Sequence, residues 1–247
     1  MFGDPGGSQS DRVDVALPLV RTMNVFADGQ RGRVPVVRIR GETESPYLKM
    51  AVAGTYDGQA WQLQDVADQH VFDELDLSET SSVVARQVLY PSSSEKDEAK
   101  LRQASVADDP AHLALSANIS QRMKDLAAKI TENISSPYEK VLQIETFLKI
   151  KYEYNPNFSE PPGNFEPNDW FLFESRQGVC SHFNSALVML ARAAGVPARL
   201  VVGYYVETGI ASQTVYADQA HAWAEINLDG IGWTLFDATP GVFAGNL

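Results

Sequence analysis

The stretch QGVCSHFNSALVMLARAAGVPAR (177–199) decides the reading of this chain. It holds the only cysteine, Cys180, which opens an apolar-periodic segment two residues after a glycine. Phe183, Leu187, Leu190, Ala191 and Ala194 fall on one helical face, and Gly195 with Pro197 supplies the stop. ARLVVGYYVE (198–207) then reads as a buried strand, and AHAWAEINLDGIGWTLFDATP (220–240) as a hairpin turning at Asp229–Gly230. Helices followed by antiparallel strands make this half α+β, with Cys180 at a helix start facing a sheet.

A thiol attacks as its thiolate, and a helix N-terminus stabilises negative charge. Position alone decides little, because free cysteine is also among the most buried residue types. A catalytic reading needs a base and a group that orients the base. There are four histidines. His70 lies in a β-rich first part and His112 in a polar linker, so neither is placed to serve. His182 sits two positions into the helix, about 200° round from Cys180, and is expected to pack or cap. His221 remains, at the head of the hairpin and flanked by small residues in QAHAWAE.

The orienting group is expected to be Asp237, an acidic residue in the apolar strand WTLFDATP whose charge needs a partner. Side chains alternate along a strand, so the turn length decides whether Asp237 meets His221. A three-residue turn, Asp229–Ile231, sets Asp237 opposite Trp223 and diagonal to His221. A turn of two or four residues without a bulge points them to opposite faces.

Upstream, residues 1–12 are Gly/Ser/Asp-rich and read as a disordered lead-in. Residues 13–91 carry strand signals at 34–42, 47–61 and 81–91, which define a small β-rich module open to a sandwich arrangement. Residues 92–112 are polar and charged, a linker or an exposed helix. The domain of interest spans 113–247. Leu115, Ile119, Met123, Leu126 and Ile130 predict one helix there. Ser136, Pro137 and Glu139 mark the N-cap, first position and capping-box position of a second. Its buried stripe is Val141, Ile144, Phe147 and Leu148.

Gly178-Val179-Cys180, the helix running to AAGVPARLVVGYY, then HAWAEI and GWTLFDATP together resemble the transglutaminase-like superfamily. The likeness extends upstream through YEKVLQIETFLKIKYEYN and DWFLFESRQG, so it covers roughly residues 115–241. It is similar in particular to bacterial TgpA-like, membrane-tethered proteins, and SPYLKMAVAGTYDGQAW resembles the β-rich segment that precedes the catalytic domain there. The resemblance implies a papain-like core with Cys180 as nucleophile, His221 as base and acid, and Asp237 as orienter. It implies acyl transfer through a thioester from a Gln carboxamide or peptide-like amide to an amine or water. A cysteine peptidase or amidase with the same triad, or a silent module binding peptide or cell-wall material, are the alternatives. Relatives often carry Glu and Ala where this chain has Ser181 and Asn184, which bears on the neighbouring pocket. No cofactor and no metal is expected, and no EF-hand pattern is present.

Bulk properties narrow the partners. Twenty Lys and Arg against 32 Asp and Glu give a net charge of −12, and no basic cluster interrupts it. That excludes a nucleic-acid footprint and attraction to anionic membranes. A single cysteine excludes an intrachain disulfide. The first residues, MFGDPGGSQSDR, have neither a basic nor an apolar region, so no signal peptide is expected there. No run reaches the ~18 to 20 apolar residues of a membrane span. The resemblance implies a protein or peptide substrate associated with the cell envelope, an extracytoplasmic location, and tethering only through segments absent from this chain.

Overall fold

The structure, a computed structural model, describes residues 22–23, 35–43, 45–65, 74–76, 98–159, 161–163 and 165–241. The lead-in 1–12, His70 and the strand expected over 81–91 lie outside the described residues. The strands are β1 (Thr22–Met23), β2 (Pro35–Arg40), β3 (Tyr47–Tyr56), β4 (Trp61–Asp65), β5 (Glu74–Asp76), β6 (Glu153–Tyr154), β7 (Gln177–Gly178), β8 (Ala198–Tyr205), β9 (Ser212–Tyr216), β10 (Ala220–Leu228) and β11 (Gly232–Phe236). The helices are α1 (Glu98–Gln103), α2 (Gln121–Ile130), α3 (Pro137–Lys151), α4 (Pro167–Trp170) and α5 (Cys180–Ala193).

The main sheet has six strands in the order β1-β4-β3-β8-β10-β11, antiparallel throughout. The β3–β4 hairpin from the N-terminal part therefore continues the same sheet as β8, β10 and β11. A second sheet, β5-β2-β9, joins β2 to a strand between β8 and β10 that the sequence reading did not identify. Val37, Ile39, Leu48, Tyr204, Val206 and Val215 form a small core at this junction. The mixed helix and antiparallel-sheet class expected from the sequence is the one observed.

Alternation along β8 and β10 sends Ala198, Leu200, Val202, Ala222, Ala224 and Ile226 to the face covered by helices. There they meet α5, whose residues Ser181–Arg192 are all buried. The apolar stripe expected for α5 is thus part of a helix buried all round. Gly195 then takes φ +82°, the left-handed conformation that ends a helix without a Cβ clash.

Two boundaries differ from the sequence reading. The helix expected from Leu115 begins only at Gln121, because Ser120 caps it: its Oγ accepts from Met123 N at 3.2 Å. Leu115 and Ile119 still pack on the core, from a turn rather than a helix. The polar stretch after 92 contains α1, whose Leu101 is buried. The helix α3 starts as expected, with Ser136 Oγ accepting from Glu139 N at 3.4 Å and Pro137 at its first position.

Glycines let the layers close on one another. A Cβ on Gly203 would lie 1.9 Å from the Leu48 carbonyl oxygen, so β3 and β8 approach this closely only because it is absent. Buried Arg192 ties three segments by donating to Ala198 O (2.9 Å), Ala114 O (2.8 Å) and Gly54 O (2.6 Å). Burial pushes its guanidinium down to about 10.

Candidate active site

Cys180 occupies the first position of α5 and is half-buried. The chain reaches it through Arg176, a non-glycine residue at φ +56°, and the short strand β7, which lies parallel to β6. Val179 is the N-cap but has no polar side chain, so His182 supplies the cap: its Nδ1 accepts from Val179 N at 3.3 Å. His182 is buried, and burial pushes its ring down to about 4, so it is neutral and able to accept. A Cβ on Gly178 would lie 2.7 Å from His182 Cγ, which explains the glycine before the cysteine. His182 is a structural cap, as the sequence reading expected.

His221 lies near the start of β10. The β10–β11 register pairs Ala224 with Phe236 and Leu228 with Gly232, leaving a three-residue turn, Asp229–Ile231. One more step of that register sets Asp237 opposite Trp223 and diagonal to His221, on one face. Of the turn lengths left open by the sequence, the structure adopts the one that brings the two residues together. His221 Nε2 and Asp237 Oδ2 are 2.7 Å apart. Cys180 lies near enough to His221 to favour its protonated form. With Nε2 committed to Asp237, Nδ1 is the ring nitrogen left to face sulfur.

Burial is the largest influence on both members of the His221–Asp237 pair, and it opposes charge on each. Mutual attraction overcomes it. The Asp237 charge and hydrogen bond, aided by Cys180, hold His221 up to about 10 from its ordinary 6.5. The His221 charge, with hydrogen bonds from Thr239 and Asn184, holds Asp237 down to about 2. The imidazolium–carboxylate state is therefore favoured across the neutral range.

Four further residues bind Asp237, and sequence reasoning assigned none of them to the site. Tyr47, from β3, donates its hydroxyl to Asp237 Oδ2 at 3.0 Å. Burial and then the Asp237 charge raise its phenol well above the ordinary range, so it stays a donor. Asn184 Nδ2 lies 3.0 Å from Asp237 Oδ1, and Thr239 N donates to the same oxygen at 2.9 Å. Glu145 on α3 accepts from Asp237 N at 2.9 Å. Only the Thr239 contact had a local signal, since an aspartate commonly binds the backbone N–H two residues on. Trp223 is fully buried and stacks on His221, with ring centroids 6.2 Å apart, so it walls the imidazole rather than opening to solvent. His112 pairs instead with Asp109 (2.8 Å) and the edge of Trp233, toward the turn end of the hairpin.

The α+β scaffold thus brings to one place a half-buried cysteine at a helix tip, an imidazole and a buried carboxylate. Residues 124–238 match the transglutaminase-like superfamily. YebA, an uncharacterised protein of Bacillus subtilis (strain 168), is 34% identical over 140 residues, 53% of this chain and 19% of that protein. A protein-glutamine gamma-glutamyltransferase of Pseudomonas aeruginosa (strain PAO1) is 31% identical over 147 residues, 56% of this chain and 21% of that protein. These matches thus span about a fifth of either relative's length. A solved structure of the periplasmic domain of TgpA from Pseudomonas aeruginosa superposes with a TM-score of 0.64, over 89% of this chain and 93% of that one, at 20% identity. That likeness establishes a shared fold. Among the described residues, no helix is long and apolar enough to cross a membrane.

Proposed function

We propose that this chain is a thiol acyltransferase of transglutaminase type, with Cys180 as nucleophile, His221 as base and acid, and Asp237 as orienter. Cys180 sulfur attacks the carboxamide carbon of a Gln side chain or a peptide-like amide. Ammonia or an amine leaves, taking its proton from His221, and a thioester remains. An incoming amine or water gives its proton to His221, attacks the thioester and restores the thiol. Backbone N–H groups at the start of α5, that of Cys180 included, would receive the developing oxyanion.

The observation that supports this reading is the 2.7 Å contact of His221 Nε2 with Asp237 Oδ2, which leaves the other nitrogen to Cys180. The similarity to a protein-glutamine gamma-glutamyltransferase favours an amine acceptor. The similarity to a periplasmic domain favours an extracytoplasmic location, a protein or peptide substrate of the cell envelope, and tethering through segments outside this chain. The assay is incorporation of a labelled primary amine into a Gln-containing protein, run beside ammonia release without amine. Amine incorporation supports the transferase, while ammonia or peptide release alone assigns the same triad to hydrolysis. If Cys180→Ala retains either activity, the reading fails in both forms.

A further inference from the structure

Asn184 stands one helical turn after Cys180 on α5 and is completely buried. Its Nδ2 lies within hydrogen-bond distance of four acceptors: Cys180 O (3.1 Å), Ala222 O (2.8 Å), Asp237 Oδ1 (3.0 Å) and Thr239 Oγ1 (3.1 Å). Its Oδ1 accepts from Ala238 N at 2.9 Å. One amide thus touches the first turn of the helix that carries the thiol, the residue after His221 and the carboxylate itself. A small apolar residue at this position would fill part of the space and make none of these bonds.

The amide has two N–H hydrogens for four acceptors, so the bonds are shared. Such an arrangement holds only while all four acceptors stay clustered, which makes Asn184 a gauge of the distance between α5 and the hairpin. The carboxylate is cradled on both sides. Oδ2 faces His221 and Tyr47, while Oδ1 faces Asn184 and Thr239 N. Rotation of the Asp237 carboxylate away from His221 would break bonds on both oxygens.

From this we infer that Asn184 is a positioning residue for the Cys180–His221–Asp237 reaction centre, acting through Asp237 and through the two carbonyls rather than on substrate. The inference rests on the acyl-transfer reading for its consequence, but its geometry is independent of which acceptor is used. Loss of the amide lets α5 and β10 slip by a fraction of an ångström and frees Asp237 to turn. Misalignment on that scale lowers the chemical rate and leaves substrate binding alone.

The test uses the full 247-residue chain and two substitutions. Asn184→Ala is expected to lower kcat by about 10²-fold with KM within about twofold, and to slow iodoacetamide alkylation of Cys180 at pH 7 by a similar factor. Asn184→Asp keeps the size of the side chain but faces the four acceptors with a carboxylate. Its kcat relative to wild type is expected to rise as pH falls, because the new carboxyl, once protonated, again donates to Asp237 Oδ1. A residue that merely packs would lower Tm and leave these rates and profiles unchanged. Wild-type kcat and alkylation rate in Asn184→Ala, with an Asn184→Asp profile parallel to wild type, would overturn the inference. If Asn184→Ala does not fold, the Asn184→Asp profile decides alone. Alkylation needs no substrate. If the wild type incorporates no amine and releases no ammonia, yet Asn184→Ala slows alkylation, the acyl-transfer reading fails and the positioning role stands.

Discussion

The α5 and β10–β11 segments and the β3–β4 hairpin meet at the same carboxylate, yet they differ in what they contribute. The first group supplies every atom proposed to react: sulfur, imidazole and carboxylate. The hairpin supplies no reacting atom. It contributes a sheet neighbour for β8 through the Leu48–Gly203 approach, a fully buried Trp61 whose Nε1 donates to Ser185 Oγ at 2.8 Å, and the Tyr47 hydroxyl on Asp237. Residues 124–238 match the superfamily, and Tyr47 lies outside them. The comparison teaches that the segment with the recognisable motif and the segment that completes its geometry need not coincide.

The largest effect should come from Asp237→Asn. It keeps the shape of the orienter but removes the charge that holds His221 protonated, so kcat is expected to fall by about 10³- to 10⁴-fold. Steady-state kinetics checks this, and a fall of less than tenfold would place the centre of the chemistry elsewhere.

Next comes a change far from the sulfur. Gly203→Ala introduces a Cβ at the position that lies 1.9 Å from Leu48 O, which forces β3 and β8 apart. The expected cost is about 3 kcal/mol, or a Tm lower by about 10 °C for a chain of this size. Scanning calorimetry reads it directly. An unchanged Tm would mean that the N-terminal hairpin is not held as tightly as the helix–hairpin half.

Tyr47→Phe sharpens the same comparison at one atom. The ring still packs on Trp223, 5.1 Å between centroids, but the hydroxyl on Asp237 is gone. A hydrogen bond to a charged group contributes about 1.5 to 3 kcal/mol, so kcat is expected to fall by about 10- to 10²-fold. A wild-type kcat would reduce Tyr47 to packing.

The reason one region was legible and the other was not is physical. Cys180 lies two residues after a glycine and opens a helix, His221 sits among small residues, and Asp237 interrupts an apolar strand, so each leaves a local mark in the sequence. The turn length that unites His221 with Asp237 was visible only as one option among several, because alternation sets faces but not loop geometry. Tyr47 meets Asp237 across 190 residues through a strand pairing that no short window encodes. Asn184 was visible as a departure from its relatives, without the four acceptors that explain it. Strand β9 went unread, and the helix after Leu115 was placed too early because apolar spacing continues through the turn that Ser120 ends.

The same pair also makes stability depend on pH. His221, raised from 6.5 to about 10, contributes stability that is fully present below about pH 6.5 and is lost as pH rises through about 10. Asp237, lowered from 3.8 to about 2, contributes stability present above its ordinary value and lost as pH falls through about 2. The Tm difference between wild type and Asp237→Asn is therefore expected to be widest between about pH 4 and 6.5 and to narrow toward pH 10. Thermal melts across that range check the sign, and a gap that widens toward pH 10 would contradict it.

One titration bears most directly on the imidazole held between sulfur and carboxylate. With carbon-13-labelled histidine, the Cε1–H signal of His221 can be assigned by its loss in His221→Gln and followed against pH. The expected midpoint is about 10 in the wild type, as its buried pairing with Asp237 dictates, and it should drop sharply in Asp237→Asn. A midpoint near the ordinary 6.5 in the wild type, unmoved by Asp237→Asn, would mean that His221 and Asp237 do not act as a pair.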